Sequence, residues 1–136
     1  KSEQKKGADE GIDGYIYFHD EPKGKETKEV ILQVKSGNIN VSGIRDLSGV
    51  VKREEAQIGV FITLREPTRP MKTGAVSSGY YRSPLGHNYP KIQILTIKEL
   101  LEGKKIDYPV RARGIDATFR KAERYGQEGQ QKEMEL

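Results

Sequence analysis

Cysteine and tryptophan are both absent from this chain, and histidine and methionine occur only twice each. Without cysteine there is no disulfide, no thiolate zinc site and no thiol nucleophile, which fits a cytoplasmic protein. Two histidines, His19 and His87, are too few for a histidine-rich hydrolytic centre, and both read as surface or packing residues. No apolar run approaches the about 18 residues that a membrane-spanning helix needs, and the start has no signal-peptide pattern. Neither a glycine-rich dinucleotide fingerprint nor a P-loop is present.

What is present is charge. Over 136 residues, 32% are charged and 34% apolar, with 24 basic and 20 acidic side chains. The balance is uneven along the chain. Residues 65–91 hold Arg65, Arg69, Lys72, Arg82 and Lys91 against the single acid Glu66, with Tyr80, Tyr81 and Tyr89 interleaved. A basic stretch of this kind can neutralise phosphates, although composition alone equally allows a solvated surface. The length predicts one domain. The first residue is Lys1 rather than Met, so a fragment of a longer polypeptide is expected.

Residues 1–11 read as a polar lead-in, 12–106 as the domain, and 107–136 as a polar, partly disordered tail. Within the domain, residues 12–19 are β-branched and aromatic and predict a strand. Asp20 to Thr27 is a turn. Lys28 to Ser36 is a second strand, with Val30, Leu32 and Val34 on the core side and Ile31, Gln33 and Lys35 on the other. Ile44, Leu47, Val50 and Val51 share one face of a helix over 42–56, with Ser42 as N-cap. The apolar run 58–64 predicts a strand covered on both faces. A helix is expected over 68–81, a loop over 86–90 and a strand over 91–97. Thr96 and Glu99 form a capping box that opens a last helix. This order predicts an α/β domain: an antiparallel hairpin, then parallel strands, flanked by helices.

One constellation carries chemistry. Asp13 stands at the start of the first strand, and Gln33 and Lys35 stand two apart on the second. A hard divalent cation can activate water against a phosphodiester, held by one or two carboxylates and further oxygens. Asp13 supplies the anionic ligand, Gln33 an amide oxygen and Val34 its carbonyl. Lys35 orients the water or binds the scissile phosphate. The bland alternatives are a turn-forming aspartate, a solvated lysine and a glutamine satisfied by backbone.

The segments Gly7-Ala8-Asp9-Glu10-Gly11-Ile12-Asp13-Gly14 and Gln33-Val34-Lys35-Ser36 resemble the PD-(D/E)XK nuclease superfamily. They resemble in particular its Mrr-type restriction endonuclease branch, in which glutamine replaces an acid of the motif. From Gly7 to about Gly103 the chain is also similar to Mrr-like domains fused to DNA adenine/cytosine-N4 methyltransferases. Residues 40–47, 58–64 and 89–96 carry that likeness. The resemblance implies a restriction-endonuclease-like fold and Mg²⁺- or Mn²⁺-dependent cleavage of double-stranded DNA by Asp13, Gln33 and Lys35. Arg65, Arg69, Lys72, Arg82 and Lys91 would track the DNA backbone, binding phosphates rather than bases. A homodimer and a fused or associated methyltransferase are further implied partners.

The chain departs from that family in one respect. It starts too late to hold the usual N-terminal helix and its acid, which leaves Asp9 or Glu10 as substitutes. The alternative function is a catalytically inactive DNA-binding or target-sensing module of a DNA methyltransferase. Methyltransferase activity itself is excluded, because Asn88-Tyr89-Pro90 lacks the paired prolines of the required motif.

Overall fold

A computed structural model describes residues 11–21 and 26–109. Residues 1–10, 22–25 and 110–136 lie outside the described part, and with them most of the expected lead-in, part of the first turn, most of the tail, and Asp9 and Glu10.

The elements are β1 (Gly14–Phe18), β2 (Lys28–Lys35), α1 (Val41–Arg53), β3 (Ile58–Thr63), α2 (Arg69–Ser77), β4 (Tyr80–Arg82), β5 (Asn88–Pro90), β6 (Ile92–Thr96) and α3 (Ile97–Leu101). Four strands form one sheet in the order β1-β2-β3-β6, and β4 and β5 form a separate hairpin. β1 runs antiparallel to β2, whereas β2–β3 and β3–β6 are parallel. This is the mixed α/β architecture that the strand and helix pattern predicts.

The sheet is covered on both faces, so every residue of β3 is buried. On one face, Ile31, Phe61 and Ile92 pack under α1 and α2 through Ile44, Leu47, Val50, Val51, Met71 and Ala75. On the other, Ile16, Phe18, Val30, Val60 and Leu95 lie under the β4–β5 hairpin, α3 and the segment through Tyr108. The expectation that only the Val30 side of β2 faces the core is thereby corrected. Ile31 is fully buried under α1, and Gln33 on the same side is only 5% exposed.

Close approach of α1 to β3 rests on Gly59. A Cβ there would lie 2.6 Å from Val51 Cγ2 and 3.1 Å from Leu47 Cγ, well inside van der Waals contact.

Several boundaries differ from the sequence reading. α1 is capped by Asn40, whose side chain accepts from the Ser42 amide, and it ends at Arg53 rather than at 56. α2 stops at Ser77, because Gly79 takes a left-handed φ of 86° and turns the chain into β4. The stretch read as the end of that helix and the loop after it is therefore a hairpin, Tyr80–Arg82 against Asn88–Pro90. Packing also continues past residue 106. The Gln93 side chain accepts from the Asp107 amide at 3.0 Å and donates to the Asp107 carbonyl at 2.7 Å. Among the described residues, no helix is long and apolar enough to cross a membrane.

Candidate functional site

The parallel strands set the frame. β2 and β3 end together, with Lys35 beside Thr63. α1 and α2 follow these two strands, so both helices begin at the carboxyl edge of the sheet. β1 pairs Gly14 with Leu32, which puts Asp13 one step further, alongside Gln33, at that same edge.

Asp13 does backbone work there. Its amide donates to the Leu32 carbonyl at 2.8 Å, and its Oδ2 accepts from the Val34 amide at 2.7 Å. Where β1 runs out, the carboxylate takes the place of the next strand carbonyl and satisfies an otherwise orphaned amide. Gln33 lies beside Phe61 on the helix-covered side of the sheet. Its Oε1 is buried without a hydrogen-bond partner among the described residues. Gly11, at φ 88°, runs against the same amide, and a Cβ there would sit 2.7 Å from Gln33 Nε2. The left-handed φ favours glycine at that position, and a larger residue would also displace the Gln33 amide. Lys35, two residues on, is exposed, and no ion pair to it occurs among the described residues.

The sequence-predicted residues are thus brought to one edge, but their chemistry is thin for a divalent cation. Mg²⁺ is normally held through one or two carboxylates with substrate oxygens. Asp13 is the acid that the paired strands β1 and β2 bring here, and one of its oxygens already serves Val34; Glu66, in the loop after β3, is exposed. Gln33 contributes only a neutral amide, and it is sunk in the core. Among the described residues, no group of three or more His, Cys, Asp or Glu side chains could hold a metal ion. Among the described residues, which leave out Asp9 and Glu10, the donor set does not fit a catalytic Mg²⁺.

The five basic residues expected along DNA do not form one track. Arg65 and Arg69 flank the carboxyl edge, and Lys72 lies one turn into α2. Lys91 lies at the other end, where its carbonyl accepts from the Gly59 amide at the start of β3. The six residues of β3 separate the two ends by about 20 Å at about 3.3 Å per residue. Arg82 projects from the hairpin and donates to Asn88 Oδ1 at 3.4 Å.

Sequence reasoning missed a second polar cluster on the opposite face. Lys28 Nζ donates to Asp20 Oδ1 at 2.8 Å and to Tyr81 Oη at 3.2 Å, while the Tyr81 hydroxyl donates to Asp20 Oδ2 at 2.5 Å. Asp20 and Lys28 are buried, at 3% and 7% exposed. Burial alone would lower the Lys28 pKa, but hydrogen bonds to Asp20 and Tyr81 outweigh it and raise the value. Burial and the Asp20 carboxylate push Tyr81 up to about 12. The cluster pins the β4–β5 hairpin to the root of the β1–β2 hairpin. Its one local signal is a lysine opening an apolar strand; the 61-residue separation of Asp20 and Tyr81 leaves no periodicity to read.

Residues 2–102 match the family model described as NA-iREase1, NACHT-associated inactive Restriction Endonuclease 1. No curated protein and no solved structure matches the chain. The match supports the restriction-endonuclease-like fold and reaches neither the Mrr type nor a methyltransferase fusion. It overturns the expectation of an active Mg²⁺-dependent deoxyribonuclease of a restriction system. The physical reason lies in Asp13, Gln33 and Lys35 themselves: a carboxylate engaged by backbone, a buried neutral amide and a lysine with no anionic cluster beside it.

Proposed function

Because the chain belongs to the NACHT-associated inactive restriction endonuclease 1 family, we propose that it is a catalytically inactive module that binds double-stranded DNA as a target sensor. The observation that carries this reading is the state of the carboxyl edge. Its strand-end acid, Asp13, is committed to the Val34 amide, while Lys35, Arg65 and Arg69 there remain outside every ion pair among the described residues, Glu66 included. Such an edge attracts phosphates without assembling the cation that would cleave them. Phosphate contacts of this kind give affinity and little sequence preference.

The Gln-x-Lys form of the motif supports an Mrr-type ancestry for the fold. The family description links such domains to NACHT modules, so a NACHT module is the proposed neighbour in place of a methyltransferase. Mg²⁺ and Mn²⁺ have no part in this reading.

Electrophoretic retardation of a short DNA duplex at low salt tests it. The expected result is a retarded complex that weakens steeply as salt rises, as counterion release requires. Absence of any complex at low salt contradicts the reading.

A further inference from the structure

A groove of about 530 Å³ runs between α1 and α2 on the helix-covered face. Ile44 and Pro70 form part of an apolar floor, and Arg45, Ser48, Arg69 and Thr73 supply polar groups around it. No acidic residue lines it among the described residues. The acids nearest in sequence are Asp46 and Glu66, and neither pairs with Arg45 or Arg69 among the described residues. Two guanidinium groups therefore face one concavity with their hydrogen-bonding forks uncommitted to a carboxylate. Both helices also begin beside it, at Val41 and Arg69, and neither has an acid in its first turn.

We propose that this groove holds the phosphodiester backbone of duplex DNA, with Arg45 and Arg69 as the phosphate-binding pair. This rests on the DNA-binding reading above and gives it a location. Charge complementarity is the argument for the occupant. Planar guanidinium forks match phosphate oxygens in pairs, and Ser48 and Thr73 can donate further bonds to the same oxygens. The positive end of the α1 dipole adds to the field there, whereas α2 lines the groove from Arg69 to its C-cap Ser78 and gives no net dipole contribution. Arg45 lies outside the basic stretch 65–91 and joins it only through the fold. Lys91 sits at the far end of the sheet and Arg82 on the separate β4–β5 hairpin, and neither is assigned a contact.

Fluorescence anisotropy with a labelled duplex, on the full 136-residue chain, separates the possibilities. The double variant Arg45→Gln/Arg69→Gln is expected to bind about tenfold or more weakly, and its log K against log salt slope falls in magnitude by about 2. Arg82→Gln/Lys91→Gln stays within about twofold of wild type, and Arg45→Lys/Arg69→Lys recovers part of the loss. All four arginine and lysine positions are at the surface or half-buried, and thermal melts confirm folding of each variant. Wild type that binds while Arg45→Gln/Arg69→Gln binds equally well overturns the groove and leaves the sensor reading standing. Equal losses in the two Gln variants mean diffuse attraction and also overturn it. Wild type that binds poly-glutamate more tightly than DNA through the same arginines reassigns the groove to an acidic protein. Wild type that binds no duplex removes this proposal and the DNA-binding reading together.

Discussion

Asp13 ends the β1–β2 ladder by accepting from the Val34 amide, so its replacement is a stability experiment before it is anything else. Asp13→Ala leaves that amide to water at an exposed edge, and a loss of about 1 kcal/mol is expected. The measurement is a urea unfolding curve in metal-free buffer, read as a lower midpoint at unchanged slope. A carboxylate held only as a metal ligand would show no such loss without metal. The Lys28–Asp20–Tyr81 cluster makes a second prediction at this scale. Folded Tyr81 keeps its proton up to about 12, against an ordinary value of 10.0. The unfolded chain gives up that proton earlier, so stability is full below pH 10 and falls as pH rises from there to about 12. The raised Lys28 acts in the same direction, because the folded ammonium persists where the unfolded one deprotonates. Denaturation curves across that window are expected to show the decline in wild type and a smaller decline in Tyr81→Phe.

Between elements, Gly59 sets how closely α1 can lie on β3. Gly59→Ala forces Val51 and Leu47 to move, and overpacking of this kind costs about 1–3 kcal/mol, to be read as a lower thermal midpoint. The main elements were legible because each has a full period of its own. Ile44, Leu47, Val50 and Val51 repeat at helical spacing, 58–64 is apolar but for Thr63, and Thr96 and Glu99 make both bonds of a capping box. The β4–β5 hairpin was not legible: three residues per strand carry no alternation, and Gly79 inside a run of small residues looked like a weak helix continuing. The site was legible as a set of positions and not as a function. Spacing put Asp13, Gln33 and Lys35 at one edge. It could not show that Oδ2 of Asp13 meets a backbone amide, that both faces of β2 are covered, or that Arg45 joins Arg69 across a groove.

For the molecule as a whole, placement of charge matters more than its net value of +4. The basic stretch is divided between the two ends of the sheet and the β4–β5 hairpin, and Arg45 and Arg69 line a concavity between α1 and α2. On the proposed reading, a nuclease fold with its carboxylate tied to backbone keeps a surface for phosphate and lacks the centre that would cut it. The most direct test is a supercoiled-plasmid assay with Mg²⁺ or Mn²⁺, run at protein concentrations where DNA binding is saturated. The account predicts bound plasmid that stays supercoiled with wild type, Asp13→Ala and Lys35→Ala alike. Nicking by wild type that disappears in Asp13→Ala and Lys35→Ala would contradict it.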